Sequence, residues 1–129
     1  MTMRTLRRIA AAGLTGVLAS VLLASPALAV KFPAGPASWG YTINLTTDSG
    51  TPLGGVWTTR RSDGRWDVHV CDWYSDGWIV TGRVDPGNGV VATYNSQGVG
   101  EANCTVATTS VRKFRLAWRD LASDWAPPQ

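Results

Sequence analysis

RWDVHVCDWYSDGWIVTGRVD, running from Arg65 to Asp85, is the stretch that decides how this chain is read. Trp66, Val68 and Val70 alternate with Arg65, Asp67 and His69, the period of two that turns one apolar face to a core and one polar face to water. After Ser75-Asp76-Gly77, a second run sets Trp78, Val80, Gly82 and Val84 against Ile79, Thr81, Arg83 and Asp85. Asp-Gly between alternating runs is a hairpin signal, because glycine accepts the positive φ that a tight turn requires. The stretch therefore predicts a pair of neighbouring antiparallel strands.

The same pattern continues on both sides. Upstream, Trp39, Tyr41, Ile43 and Leu45 alternate with Gly40, Thr42, Asn44 and Thr46, and the run breaks at Asp48-Ser49-Gly50-Thr51-Pro52. A further strand from Val56 to Arg61 is turned back by Ser62-Asp63-Gly64 into the strand at Arg65, so successive Asp-Gly hairpins predict a meander. Lys31 to Ser38, rich in Pro, Gly and Ala, reads as an irregular lead-in. Downstream, Asp85-Pro86-Gly87-Asn88-Gly89 turns the chain into Val90 to Asn95. Asn103 to Thr108 then places Cys104, Val106 and Thr108 on one face, and Val111 to Arg119 sets Phe114, Leu116 and Trp118 opposite Lys113, Arg115, Ala117 and Arg119. The tail from Leu121 is expected to turn and pack Trp125 against the end of the fold. No segment after the leader has a helical period, so the expected fold is all-β, a single antiparallel β-sandwich of about seven strands, with a small closed barrel as the alternative.

Met1 to Ala29 has the parts of a secretory signal peptide: Arg4, Arg7 and Arg8, then an apolar stretch, then the small-residue site Ala27-Leu28-Ala29. Residues 30–129 are expected to form the exported domain. The leader also carries the whole basic excess. Without its arginines, the chain has as many basic as acidic residues, so the overall charge gives no reason to expect a nucleic-acid or membrane partner. The protein's two cysteines, Cys71 and Cys104, are expected to pair outside the cell. By alternation Cys71 shares the face of Asp67 and His69. A bulge at Cys71-Asp72 is the expected resolution, and a disulfide on the outer surface of a sheet is the other.

Short motifs add a resemblance. V-x-V-C-D at Val68 to Asp72, D-G-W-x-V-x-G at Asp76 to Gly82, Asn103-Cys104, and S-x-W at Ser123 to Trp125 resemble a broad group of small exported actinomycete proteins with no assigned activity. The likeness covers most of the chain from Trp66 onward. It implies a secreted β-domain, and a second cysteine pair in the group at positions held here by Ala117 and Ala122.

Catalytic chemistry finds little to work with. After the leader there is one histidine, His69, and one glutamate, Glu101, and no serine lies in a nucleophile motif. Asp72 and Asp76 bracket a short loop, where Asp-Gly reads as turn chemistry rather than metal ligation. No cofactor or metal is expected. The unusual residue is tryptophan, with seven copies. Trp39, Trp66, Trp78 and Trp118 fall on faces read as inward. Trp57 has the outward parity of Thr59 and Arg61, and Trp73 sits with Tyr74 in the loop before Asp76. Exposed aromatics beside polar groups stack on sugar rings or anchor protein interfaces. The candidate ligand-binding residues are therefore Trp57, Trp73, Tyr74, Asp72 and Asp76. Lys113, Arg115 and Arg119, with Arg112 nearby, read as the solvated face of a strand, with a basic stripe that meets an anionic polymer as the alternative.

These readings describe a small secreted, monomeric, non-catalytic binding protein whose ligand is an extracellular glycan held by exposed tryptophans. The alternative is an extracellular protein-interaction or inhibitor domain that uses the loops at Ser62 to Gly64 and Trp73 to Gly77.

Overall fold

The computed structural model describes residues 29–129. The expected leader thus lies outside the described residues, apart from Ala29. Ten strands follow: β1 (Val30–Lys31), β2 (Ala34–Ala37), β3 (Gly40–Thr47), β4 (Pro52–Arg60), β5 (Trp66–Asp72), β6 (Val80–Asp85), β7 (Ala92–Asn95), β8 (Thr105–Thr109), β9 (Lys113–Trp118) and β10 (Leu121–Ala122). They form two antiparallel sheets. The first has the order β1-β3-β4-β5-β8, with β2 also on β3, and the second has the order β10-β9-β6-β7. Their inner faces interdigitate, with Ile43, Leu45, Val56, Val68 and Val70 of the first sheet against Val84, Phe114, Leu116 and Trp118 of the second, all essentially inaccessible. The result is an open β-sandwich rather than a closed barrel.

Strands β3 to β9 are the seven alternating runs of the sequence. The three extra strands are short and occupy edges, where passing chain satisfies the free N–H and C=O groups of β3 and β9. The tail is one of them, which corrects the expectation of a turn at the end of the sandwich. After β10, Ala126 and Phe114 exchange both backbone hydrogen bonds at 2.9 Å. The buried Thr58 hydroxyl then donates to the Pro128 carbonyl.

The Asp-Gly rule holds at one site and fails at the other. At Ser62-Asp63-Gly64 it makes the β4–β5 hairpin, with Arg61 N–H donating to the Arg65 carbonyl at 3.1 Å and Gly64 at φ 86°. At Asp76-Gly77 there is no hairpin. Strand β5 lies between β4 and β8, whereas β6 lies between β9 and β7 in the other sheet. Trp73 to Ile79 is therefore an arch from one sheet to the other, and the expected meander ends at β5. Within the arch the Asp76 carboxylate accepts the Trp78 N–H at 2.9 Å, and Asp76 N–H donates to the Tyr74 carbonyl at 3.1 Å. Local turn chemistry is satisfied without pairing the flanking strands. Burying the apolar faces of β5 and β6 against each other is the larger gain. Glycine makes that approach possible: a Cβ on Gly54 would lie 2.6 Å from a Val80 methyl, and one on Gly82 would lie 2.8 Å from a Val70 methyl.

Two indoles read as inward are not. Trp66 and Trp118 are buried, but Trp39 is 52% exposed and Trp78 is 48% exposed. Both precede a strand, β3 beginning at Gly40 and β6 at Val80. Beyond a strand end the pleat no longer dictates which way a side chain points.

The cysteine register is corrected as well. The β4–β5 ladder runs without a shift from Arg60↔Trp66 to Gly54↔Asp72, so there is no bulge at Cys71 in that ladder. Cys71 keeps the outward parity of Asp67 and His69 and is bonded to Cys104, one step beyond the Val70↔Thr105 pair of β5 and β8. Their Cα atoms are 4.4 Å apart, the spacing of a non-hydrogen-bonded antiparallel pair. The bridge thus extends the ladder on the outside of the sheet.

Candidate functional site

The outer face of the first sheet carries the candidate site. Hairpin register places Trp57 opposite His69, Thr59 opposite Asp67, and Gly55 opposite Cys71, all pointing away from the core. Trp57 and His69 stack with ring centroids 5.0 Å apart and planes within 4°. His69 Nε2 shares a hydrogen bond of 3.1 Å with Thr59 Oγ1. Burial holds the His69 pKa below its ordinary value, partly opposed by the Asp67 carboxylate.

Trp73 joins this pair from outside the sheet. Its N–H donates to the Leu53 carbonyl at 2.9 Å, which fixes the chain where it leaves β5. The indole then folds back over Gly55. A Cβ there would lie 3.5 Å from the ring, an ordinary contact distance, so Trp73 packs directly over Gly55. Trp73 reaches Trp57 with centroids 6.2 Å apart and planes 24° apart. Gly55 and the Cys71–Cys104 bridge lie next to each other in the ladder and form the floor.

Polar groups rim the rings. Asp67 accepts the Thr108 hydroxyl at 2.6 Å and the Arg61 guanidinium at 3.4 Å. Arg61 is also paired with Asp63 at 3.3 Å. The Arg65 backbone N–H and guanidinium, with Arg61, hold the Asp63 pKa down to about 2. Thr59 continues into a shallow groove lined by Trp39, Gly40, Arg60 and Gln129. Among the described residues, no carboxylate hydrogen-bonds His69; the hydrogen bonds of Asp67 go to Thr108 and Arg61.

Of the residues selected from sequence, Trp57 and Trp73 are brought together and the rest are not. Asp72 points inward, is only 4% exposed, and accepts the Tyr74 N–H at 3.1 Å. Burial pushes its pKa up. Asp76 holds the Trp78 N–H, and Tyr74 projects from the arch half-exposed. These three residues build and decorate the arch. Sequence reasoning missed His69, Thr59 and Asp67 as neighbours of Trp57. The signal was present: the turn at Ser62-Asp63-Gly64 fixes which outward residues of β4 and β5 face each other.

No protein-family model, no curated protein and no solved structure matches this chain. What the site does has to follow from its own geometry.

Proposed function

We propose that this is a small secreted binding protein, without catalytic activity, that holds a carbohydrate on the Trp57–Trp73 platform. The observation that carries this reading is the pairing itself: two indoles from separate elements lie near-parallel on a solvent-facing sheet surface. The electron-rich face of an indole attracts the C–H edges of a pyranose ring, while a polar rim hydrogen-bonds the hydroxyls. Thr59, His69, Asp67 and Thr108 supply that rim. The elements of the platform come prearranged, because the disulfide and the β4–β5 ladder fix the floor and stacking on Trp57 limits the His69 ring. A preformed surface loses less entropy on binding. The non-catalytic reading is supported by His69 itself, which stacks on an indole and, among the described residues, has no carboxylate hydrogen-bonded to its ring.

A second reading has its own observation. Tyr74, Trp78 and Ile79 are each 48% exposed within a single arch, a loop-led apolar patch of the kind that anchors protein partners. A glycan array separates the two readings. The platform predicts that the purified protein is retained on a defined set of neutral sugars and that Trp57→Ala abolishes retention. Absence of any glycan hit, with loss of a protein partner on Tyr74→Ala, would replace it with the second.

A further inference from the structure

The outer face of the second sheet holds an arrangement that the carbohydrate platform does not use. Arg83 on β6 stands directly opposite Arg115 on β9, and Lys113 is the next outward residue of β9. Like charges in directly opposed positions destabilise a sheet, so the fold keeps this pair against its own electrostatics. Among the described residues no carboxylate forms an ion pair with either arginine. The four ion pairs among the described residues use Arg61, Arg65 and Arg112, leaving Arg83, Lys113, Arg115 and Arg119 without a carboxylate partner. Asp85 lies in the row itself, directly opposite Lys113, and its carboxylate is bound to Arg112 at 2.7 Å. Asp120 and Asp124 lie in the exposed edge segment, while Asp63, Asp67, Asp72 and Asp76 belong to the first sheet and the arch.

Aromatic rings hold the cations in place. The Arg115 guanidinium lies 4.5 Å from the centroid of Trp125, and Lys113 Nζ lies 4.9 Å from the same ring. Arg119, at φ 57° in the turn after β9, rests on Trp118 at 4.4 Å and on Trp78 at 4.8 Å. Arg115 Nε is buried, with no hydrogen-bond acceptor among the described residues. These guanidinium and ammonium groups share indole faces and, among the described residues, take part in no ion pair.

We propose that this face is a second binding surface and that its ligand is an anionic polysaccharide. Charge complementarity sets the anion, and the remaining groups on the face set the polymer. Thr81, Thr93 and Asn95 interleave with the cations in the same rows, and Thr81 Oγ1 donates to Asn95 Oδ1 at 2.8 Å. Hydroxyl and amide groups beside cations suit a chain that carries sugar hydroxyls beside sulfate, phosphate or carboxylate groups. A single-stranded nucleic acid would need free indole faces for its bases, and here Lys113 and Arg115 lie over Trp125.

The test compares immobilised dextran sulfate with uncharged dextran, using the purified protein. Binding to dextran sulfate only is expected, weakening steeply between about 20 mM and about 300 mM NaCl as exposed charges are screened. Arg83→Glu, at an exposed position, should reduce that affinity by at least about tenfold, a loss of about 1.4 kcal/mol. Lys31→Glu makes the same change in net charge on the first sheet and should leave affinity within about twofold. Equal retention on both resins, or equal effects of the two substitutions, would overturn the proposal. So would tighter binding to single-stranded DNA or to phosphatidylserine vesicles than to dextran sulfate.

Discussion

Gly55 lies beneath Trp73 and His69 stacks on Trp57, so both bear on the platform. A Cβ on Gly55 would lie 3.2 Å from Asn44 Oδ1, a tight approach, and 3.5 Å from the Trp73 ring. Gly55→Val is expected to lift the indole off Trp57, weaken sugar binding, and cost about 1 to 3 kcal/mol through overpacking. The chemical shift of the assigned Trp73 indole N–H in NMR spectra, together with a denaturant melt, reads both effects. At His69, burial favours the neutral ring, so its pKa in the folded protein lies below its unfolded value of 6.5. Above pH 6.5 this preference costs nothing, whereas stability falls as the pH drops from there through the folded pKa, because the unfolded chain binds the proton first. An NMR titration of the His69 ring should give the depressed value. His69→Phe keeps a ring on Trp57 and should flatten the melting temperature in that window.

At the scale of strands and turns, the Cys71–Cys104 bridge joins positions 33 residues apart. Replacing both cysteines by alanine should cost about 3 to 4 kcal/mol, measured by urea denaturation. A related pair shows how the second sheet is closed. Ala117 and Ala122 are direct partners across β9 and β10, one step from the turn at Arg119-Asp120. Introducing cysteine at both should form a second bridge worth about 2 kcal/mol, the smaller gain expected of a short loop. Alkylation with and without reductant checks that it closes.

These elements also show what could be read in the sequence. Seven strands were legible because each alternates, and Trp57 and Trp73 stood out because one has outward parity and the other lies outside any strand. Parity does not report which sheet a strand joins. The Asp-Gly turn at Asp76-Gly77 looked like the one at Asp63-Gly64, yet β5 turned out to pair with β8, more than 30 residues away from it in sequence. Pairings at such separation depend on the whole core. Trp39 and Trp78 failed for a narrower reason, since alternation stops where the strand does.

For the whole molecule, the sandwich presents two unlike faces. One has stacked rings above a disulfide, and the other has cations lying on indoles. The first face has the Cys71–Cys104 disulfide as its floor and so depends on the oxidised chain. If the full chain is expressed with its leader, the exported form should begin at Val30 and be lighter by two hydrogens than its reduced form; intact mass settles it. The deciding test of the platform is Trp73→Ala, with affinity for the best-retained array glycan and melting temperature measured on the same preparation. A binding platform predicts at least about a tenfold loss of affinity with a stability change within about 1 kcal/mol, the size of surface changes away from the core. Unchanged affinity, or a loss of several kcal/mol of stability, would contradict it and leave Trp73 as a cap on the sheet.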